Sequence, residues 1–364
     1  MSLAPRMIAL ATAVPEQVLP QSDARAGIGA LFDPVLGHDR RLLDVFANAQ
    51  IAERHVCMPL DWYLVDHDFA EKNSLYVEHA LRLSAEATGR ALAAAALAPG
   101  DIDHVVFVSS TGIATPTIDA LLANELGFRA DVRRTPIWGL GCAGGAAGLA
   151  RAAEFARADP GARVLLVALE LCSLTFQRRD LSKKNLIAAS LFGDGVAAAI
   201  LAGADVAAPA ARSGGARPLA VVASASTLWK GTRDIMGWSV AADGLTVVLS
   251  RDLPSFVRRE IKPSLQPFLD RQGLALADIA HMVAHPGGVK VLDAWAASLD
   301  LPAAAFRHSR DVLRSYGNMS SPSCLFVLER FLAAGEIGEG ERALLSALGP
   351  GFSVEFVLLR GESA

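Results

Sequence analysis

Three residues that can act together on an acyl group stand at turn-forming positions. They are Cys142 in Gly139-Leu-Gly-Cys-Ala-Gly144, His285 at the head of His-Pro-Gly-Gly, and Asn318 in Tyr316-Gly-Asn-Met-Ser-Ser321. The first run also satisfies the G-x-G-x-x-G pattern that cradles dinucleotide phosphates. Both uses rest on one physical feature. A glycine-rich turn opening a helix presents unpaired N–H groups and the positive end of the helix dipole, which favours a phosphate, a thiolate or an oxyanion alike. For the dinucleotide reading, the apolar run Arg163–Leu169 ends at Glu170, where a ribose-binding acid could stand. Residues 132–138, Val-Arg-Arg-Thr-Pro-Ile-Trp, oppose it, because two arginines and a proline occupy what should be a continuously apolar first parallel strand.

As a nucleophile, Cys142 gains from the helix N-terminus and from an adjacent imidazole, which together stabilise the thiolate and let it attack thioesters or amides near neutral pH. Each residue also has a plainer use: Cys142 as core filler, His285 as a hydrogen-bonded turn residue, Asn318 as a helix cap. The chain order Cys, His, Asn is that of papain-like proteases, but their local cysteine signature is missing. His and Asn can instead donate two hydrogen bonds to one thioester carbonyl oxygen, stabilising the enolate left when a malonyl group loses carbon dioxide. That carbanion then attacks the acyl group on Cys142.

The elements that must bring the three together read as a duplication. Leu97-Ala-Pro-Gly-Asp-Ile-Asp-His-Val-Val-Phe-Val108 resembles Leu274-Ala-Leu-Ala-Asp-Ile-Ala-His-Met-Val-Ala-His285, an offset of 274 − 97 = 177. Arg163-Val-Leu-Leu-Val-Ala-Leu169 resembles Arg342-Ala-Leu-Leu-Ser-Ala-Leu348, an offset of 342 − 163 = 179. Two matches at nearly one offset predict two copies of one α/β unit. The Ala-, Gly- and Pro-rich residues 202–218 separate them, giving halves 1–212 and 213–364. Apolar runs at 164–169, 197–201, 219–222 and 352–359 predict strands covered on both faces, and residues 40–46 and 74–96 show helical spacing. Under the offset, Cys142 and Asn318 occupy equivalent turns, one per half, and His285 ends the strand 280–284 at the carboxyl edge where open α/β sheets gather their sites.

Composition narrows the function. Among 364 residues, 52% are hydrophobic and 20% charged, which predicts a globular chain with ample core. A net charge of −4 without a basic run excludes nucleic-acid binding, and nothing predicts membrane insertion. No basic, apolar, small-residue leader opens the sequence, so a cytoplasmic protein is expected. Four scattered cysteines, Cys57, Cys142, Cys172 and Cys324, predict neither a zinc site nor a disulfide framework.

With Phe192 in Leu-Phe-Gly-Asp-Gly and Gly349-Pro350-Gly351 near the end, the chain resembles the type III polyketide synthases, the chalcone synthase family. The resemblance implies a thiolase-like fold of two duplicated halves in an αβαβα layering, a homodimer, and iterative condensation of malonyl-CoA onto an acyl-CoA starter without a carrier protein. No bound cofactor is implied; the CoA thioesters are substrates. It makes Cys142 the acyl-holding nucleophile, His285 and Asn318 the decarboxylation and oxyanion pair, and Phe192 a gate whose apolar ring disfavours the malonyl carboxylate. Glu170 then falls at a buried strand end.

Departures concern the substrate. Val247 stands where the plant enzymes carry a phenylalanine, which widens the gate. Thr175 and Ser320 match positions that tune cyclisation, and Cys172 resembles bacterial alkylpyrone and alkylresorcinol synthases. Trp238 restricts space, while Gly349, Pro350 and Gly351 shape the cavity beside the nucleophile. Arg40, Arg41 and Lys290 are candidates for the CoA phosphates. The resulting expectation is a medium or long fatty acyl starter and an alkylpyrone or alkylresorcinol product. Malonyl or small aromatic starters, and a single-extension enzyme like ketoacyl synthase III, are the alternatives.

Overall fold

The computed structural model describes residues 4–36, 40–207, 217–241 and 243–363. The expected junction at 212/213 lies outside the described residues. In chain order the strands are β1 (Arg6–Ala13), β2 (Gln17–Pro20), β3 (Glu53–Val56), β4 (His104–Val108), β5 (Arg133–Ile137), β6 (Arg163–Leu171) and β7 (Asp194–Ala202). They continue with β8 (Leu219–Leu228), β9 (Met236–Ala241), β10 (Gly244–Leu249), β11 (His281–Ala284), β12 (Arg342–Gly349) and β13 (Ser353–Gly361).

Nine of these form one sheet in the order β5-β4-β6-β7-β1-β8-β13-β12-β11. Outward from the middle, β1-β7-β6-β4 and β8-β13-β12-β11 repeat one pattern: antiparallel, antiparallel, then parallel. The repeated sequence segments land on equivalent strands, β4 with β11 and β6 with β12. Within this sheet the halves meet at β1 and β8, through Arg6–Ala220 and Met7–Leu219 among the described residues.

Alternation along each strand sorts the core into layers. Val106, Val108, Leu166 and Ala199 of the first half, with Ala343, Leu345 and Val357 of the second, pack on two central helices, Gly144–Ala158 and Ser323–Ala333. The intervening residues face outward. Val105, Phe107, Leu165 and Val167 meet the helix Phe69–Ala95, while Leu344, Val354 and Phe356 meet Leu253–Arg271 and Val289–Leu299. Both faces of each half-sheet are therefore covered, which is why strands such as β6 and β7 read as unbroken apolar runs.

Residues 132–138 hold β5, which is not the buried first strand that the dinucleotide reading requires. It is an edge strand with mostly exposed side chains. Arg133 and Arg134 turn outward to Asp159 at 3.0 Å and Asp119 at 2.9 Å. An edge tolerates Pro136, whose missing N–H costs no ladder bond on the open side.

Candidate active site

Cys142 sits in the single 3-10 turn Gly141–Ala143 that leads from β5 into the helix Gly144–Ala158. The glycines here serve packing. A Cβ on Gly145 would lie 2.1 Å from the backbone oxygen of Ser321, so its absence lets the helix that follows Cys142 touch the Asn318 loop of the other half. Two loop N–H groups that a pyrophosphate would need are already used, since Gly139 and Gly141 donate to Ser110 Oγ at 3.2 and 3.1 Å. Glu170 accepts from Ser110 N at 2.9 Å and Thr111 Oγ1 at 2.8 Å, buried in β6 and out of reach of a ribose.

His285 follows β11 directly and donates its backbone N–H to Ser346 O of β12 at 2.8 Å, which fixes the imidazole at the sheet's carboxyl edge. Both ring nitrogens are buried without a hydrogen-bond partner. Asn318 Oδ1 accepts from Ser320 N at 2.8 Å, so its carbonyl is committed. Its amide N–H is left facing the His285 turn, where Gly287 O is 3.5 Å away. These three side chains line one cavity of about 940 Å³. The donors of one half thus face the sulfur of the other, as the duplication predicts.

Electrostatics refines the expected thiolate. Burial pushes the Cys142 thiol up to about 11; hydrogen bonds from Ser320 and Asn318 pull it down, while the charge of Glu170 raises it. Burial alone lowers His285 to about 3. In this geometry both groups are neutral at pH 7, rather than the thiolate and imidazolium expected from sequence. A neutral imidazole still donates one N–H, so His285 and Asn318 together offer two donors to an oxygen. Glu170 itself rises to about 7, chiefly through burial.

Phe192, Trp238 and Val247 line the cavity and also a separate chamber of about 50 Å³ behind it. The rings of Phe192 and Trp238 stand 5.9 Å apart and form the partition. Cys172 and Thr175 line the rear chamber and not the main cavity, and the Thr175 hydroxyl donates to Cys172 O at 2.7 Å. Ser320 and Pro350 line the main cavity. Gly349 does not, but a Cβ there would lie 2.4 Å from that of Ala143, so the glycine brings β12 against the Cys142 turn. Gly351, at φ +139°, follows Pro350 where only glycine is comfortable, and lines neither space.

Of the three candidates for the CoA phosphates, Arg41 and Lys290 line the cavity at its exposed mouth, whereas Arg40 turns away to Asp33 and does not line it. Lys183, Lys184 and Arg251 join the mouth and were missed. A signal existed for two of them. Lys183 and Lys184 open the helix Lys183–Leu191, and cations at a helix N-terminus oppose its dipole unless something anionic is to bind there. Five cations and no carboxylate line the cavity among the described residues, in a chain whose net charge is −4. Among those residues no cluster of His, Cys, Asp or Glu could hold a metal ion.

Known proteins resemble this chain in sequence and fold. Residues 65–206 match the N-terminal domain of chalcone and stilbene synthases, and residues 220–363 the C-terminal domain. A putative chalcone synthase of Bacillus subtilis is 42% identical over 98% of both chains. A 1,3,6,8-tetrahydroxynaphthalene synthase of Streptomyces peucetius is 42% identical over 97% of this chain and 92% of its own. The crystal structure of 1,3,6,8-tetrahydroxynaphthalene synthase from Streptomyces coelicolor, a bacterial type III polyketide synthase, superposes with a TM-score of 0.90 at 31% identity, covering 99% of this chain and 100% of that one. The layered sheet is thus the thiolase-like fold. The chain belongs to the chalcone and stilbene synthase family and is a type III polyketide synthase, a transferase that condenses malonyl-CoA.

Proposed function

We propose that the protein extends a medium- or long-chain fatty acyl starter on Cys142 with malonyl-CoA and cyclises the product to an alkylpyrone or alkylresorcinol. The observation that carries this reading is the main cavity: cations at its mouth, Cys142, His285 and Asn318 at its floor, and aliphatic walls such as Val45, Ile187, Leu249 and Leu253 between. The phosphates of coenzyme A are met by Arg41, Lys183, Lys184, Arg251 and Lys290, and an alkyl chain by the walls.

Cys142 sulfur attacks the starter thioester, and the carbon–sulfur bond to coenzyme A breaks as that to Cys142 forms. The thiol proton passes to His285, the one lining group that can take it, and leaves with the coenzyme A thiolate. Malonyl-CoA then seats its thioester oxygen between His285 and Asn318. Loss of carbon dioxide leaves an enolate whose charge the two donors hold, and the apolar ring of Phe192 makes the carboxylate's surroundings unfavourable. The enolate carbon attacks the Cys142 thioester, forming the new carbon–carbon bond and returning the thiolate. No bound cofactor enters these steps.

A second reading, a malonyl-primed aromatic product, is favoured by the small size of the chamber behind Phe192, about 50 Å³. Product mass spectrometry with malonyl-CoA alone and with long-chain acyl-CoA separates the two: alkylated pyrones or resorcinols support the first, and exclusive use of malonyl or other small starters supports the second. We further propose a cytoplasmic homodimer. No helix among the described residues is long and apolar enough to cross a membrane. The exposed Ile113 and Trp138, whose indole donates to Gly112 O at 3.3 Å, form an apolar face suited to a second copy. Size-exclusion with light scattering tests this; a monomer would refute it.

A further inference from the structure

The mouth cations face solvent, but Arg54 of β3 does not. It is 1% exposed, and among the described residues no carboxylate pairs with it. Its hydrogen bonds go elsewhere. Nη1 donates to Ala189 O at 2.6 Å and to Phe192 O at 3.2 Å, and Nη2 donates to Gln21 Oε1 at 2.6 Å. Gln21 Nε2 in turn donates to Ser190 O at 2.9 Å and Phe46 O at 3.1 Å. One buried guanidinium and one amide therefore gather the carbonyls at the C-terminal end of the helix Lys183–Leu191 and that of the next residue, Phe192. These are groups a helix end leaves unpaired, and a cation there meets the negative pole of the dipole. Burial lowers Arg54 to about 10 and the charge of Asp194 works against that, so the side chain stays charged at neutral pH.

The clamped segment is tied to Asn318. Asn318 N donates to Leu191 O at 2.9 Å and Gly193 N donates to Asn318 O at 3.0 Å, joining Phe192 and Asn318 as a two-residue parallel bridge. The packing around it has no slack. A Cβ on Gly193 would lie 2.5 Å from Tyr316 O and 3.2 Å from Arg54 Cβ, and one on Gly317 would lie 2.8 Å from Leu191 O. The strand carrying Arg54 is anchored to the helix before Asn318 as well, since Ala52 N donates to Arg314 O at 2.8 Å. A shift of the helix end thus moves the Phe192 ring and the Asn318 amide together.

We propose that Arg54 is a positioning residue which holds in register the gate ring of Phe192 and the oxyanion amide of Asn318. The proposal rests on the reading that this cavity decarboxylates and condenses malonyl-CoA. Arg54→Lys keeps the charge but cannot reach both carbonyls and Gln21 with one planar fork. The full-length variant is expected to lose condensation kcat on the order of 10- to 100-fold through misplacement of the reacting groups. The KM of both thioesters, set at the mouth, stays as in the wild type. More carbon dioxide is released per carbon–carbon bond formed, because decarboxylation outruns capture by a misaligned thioester. Gln21→Leu, which removes the bracing amide, shifts the same ratio in the same direction by less. A folded Arg54→Lys protein with wild-type kcat and carbon dioxide ratio overturns the proposal. So does a kcat that falls only in step with the folded fraction while the ratio is unchanged. Should Arg54→Lys fail to fold, an unchanged ratio in Gln21→Leu overturns it alone. A wild-type enzyme that releases no carbon dioxide from malonyl-CoA removes the condensing reading itself, which is a separate result.

Discussion

Phe192, Trp238 and Val247 stand between a cavity of about 940 Å³ and a chamber of about 50 Å³, and the two sides differ in charge as much as in size. The large side runs from cations at the surface to a sulfur, an imidazole and an amide at its floor. On the small side, Leu19, Ile28, Val56 and Phe176 surround a few committed polar groups: Arg54 holds carbonyls, and Thr175 is spent on Cys172 O. An asymmetry of this kind separates binding from shape. The large side can hold a polyanionic thioester and act on it, whereas the small side can only admit or refuse hydrocarbon.

The largest expected effect on that comparison comes from the floor. Cys142→Ala should abolish formation of an acyl-enzyme from radiolabelled starter; a labelled mutant protein would remove the sulfur from the mechanism. Next, His285→Ala or Asn318→Ala should each slow carbon dioxide release from malonyl-CoA by about 10²- to 10³-fold, the cost of one lost oxyanion donor. Unchanged release would leave the large cavity a binding site only. At the mouth, replacing Lys183, Lys184 and Arg251 together by Ala should raise KM for acyl-CoA about tenfold with kcat retained. The effect should shrink as salt is added, because exposed charges are screened. A salt-independent change would show that the cations act otherwise. At the partition, Trp238→Ala should merge the two spaces and move the product distribution toward longer starters or further extension, read by mass spectrometry. An unaltered distribution would mean that the chamber takes no part.

The smallest effect is electrostatic. The negative charge of Glu170 raises the Cys142 thiol, so Glu170→Gln should shift alkylation of Cys142 by iodoacetamide to lower pH. A shift the other way contradicts the assignment. Stability gives an independent reading of the same group. Its carboxyl is raised to about 7 in the folded protein, so the fold binds a proton that the unfolded chain releases at lower pH. Its contribution is complete below the ordinary carboxylate value and is lost as pH rises through about 7. The wild type should therefore lose stability relative to Glu170→Gln over that interval in thermal melts.

How far the molecule was legible in its sequence depends on the range of the interactions concerned. The strands β4, β6, β7 and β12 were legible because burial on both faces leaves an unbroken apolar run. Cys142, His285 and Asn318 were legible because turn residues surround each, because the duplication placed Cys142 and Asn318 at equivalent turns, and because His285 ends a strand. β5 was not, since an edge strand needs no apolar pattern and its two arginines pair on the outside. Arg40 and Arg41 are neighbours in sequence, yet only the second reaches the cavity mouth. Nothing local distinguishes them; the difference is the position of Asp33.

The sequence by itself determined the doubled α/β unit and singled out Cys142, His285 and Asn318, because periodicity, turn chemistry and a repeated offset are written along the chain. Only the tertiary structure decided which polar groups are spent and which are left to act. Ser110 takes the loop N–H groups, Ser320 fixes the Asn318 amide, Arg54 binds the helix end beneath Phe192, and both ring nitrogens of the buried His285 are left without a partner. The physical reason is that a hydrogen bond or a desolvation penalty belongs to a place in three dimensions, where residues far apart in the chain are brought within 3 Å of one another.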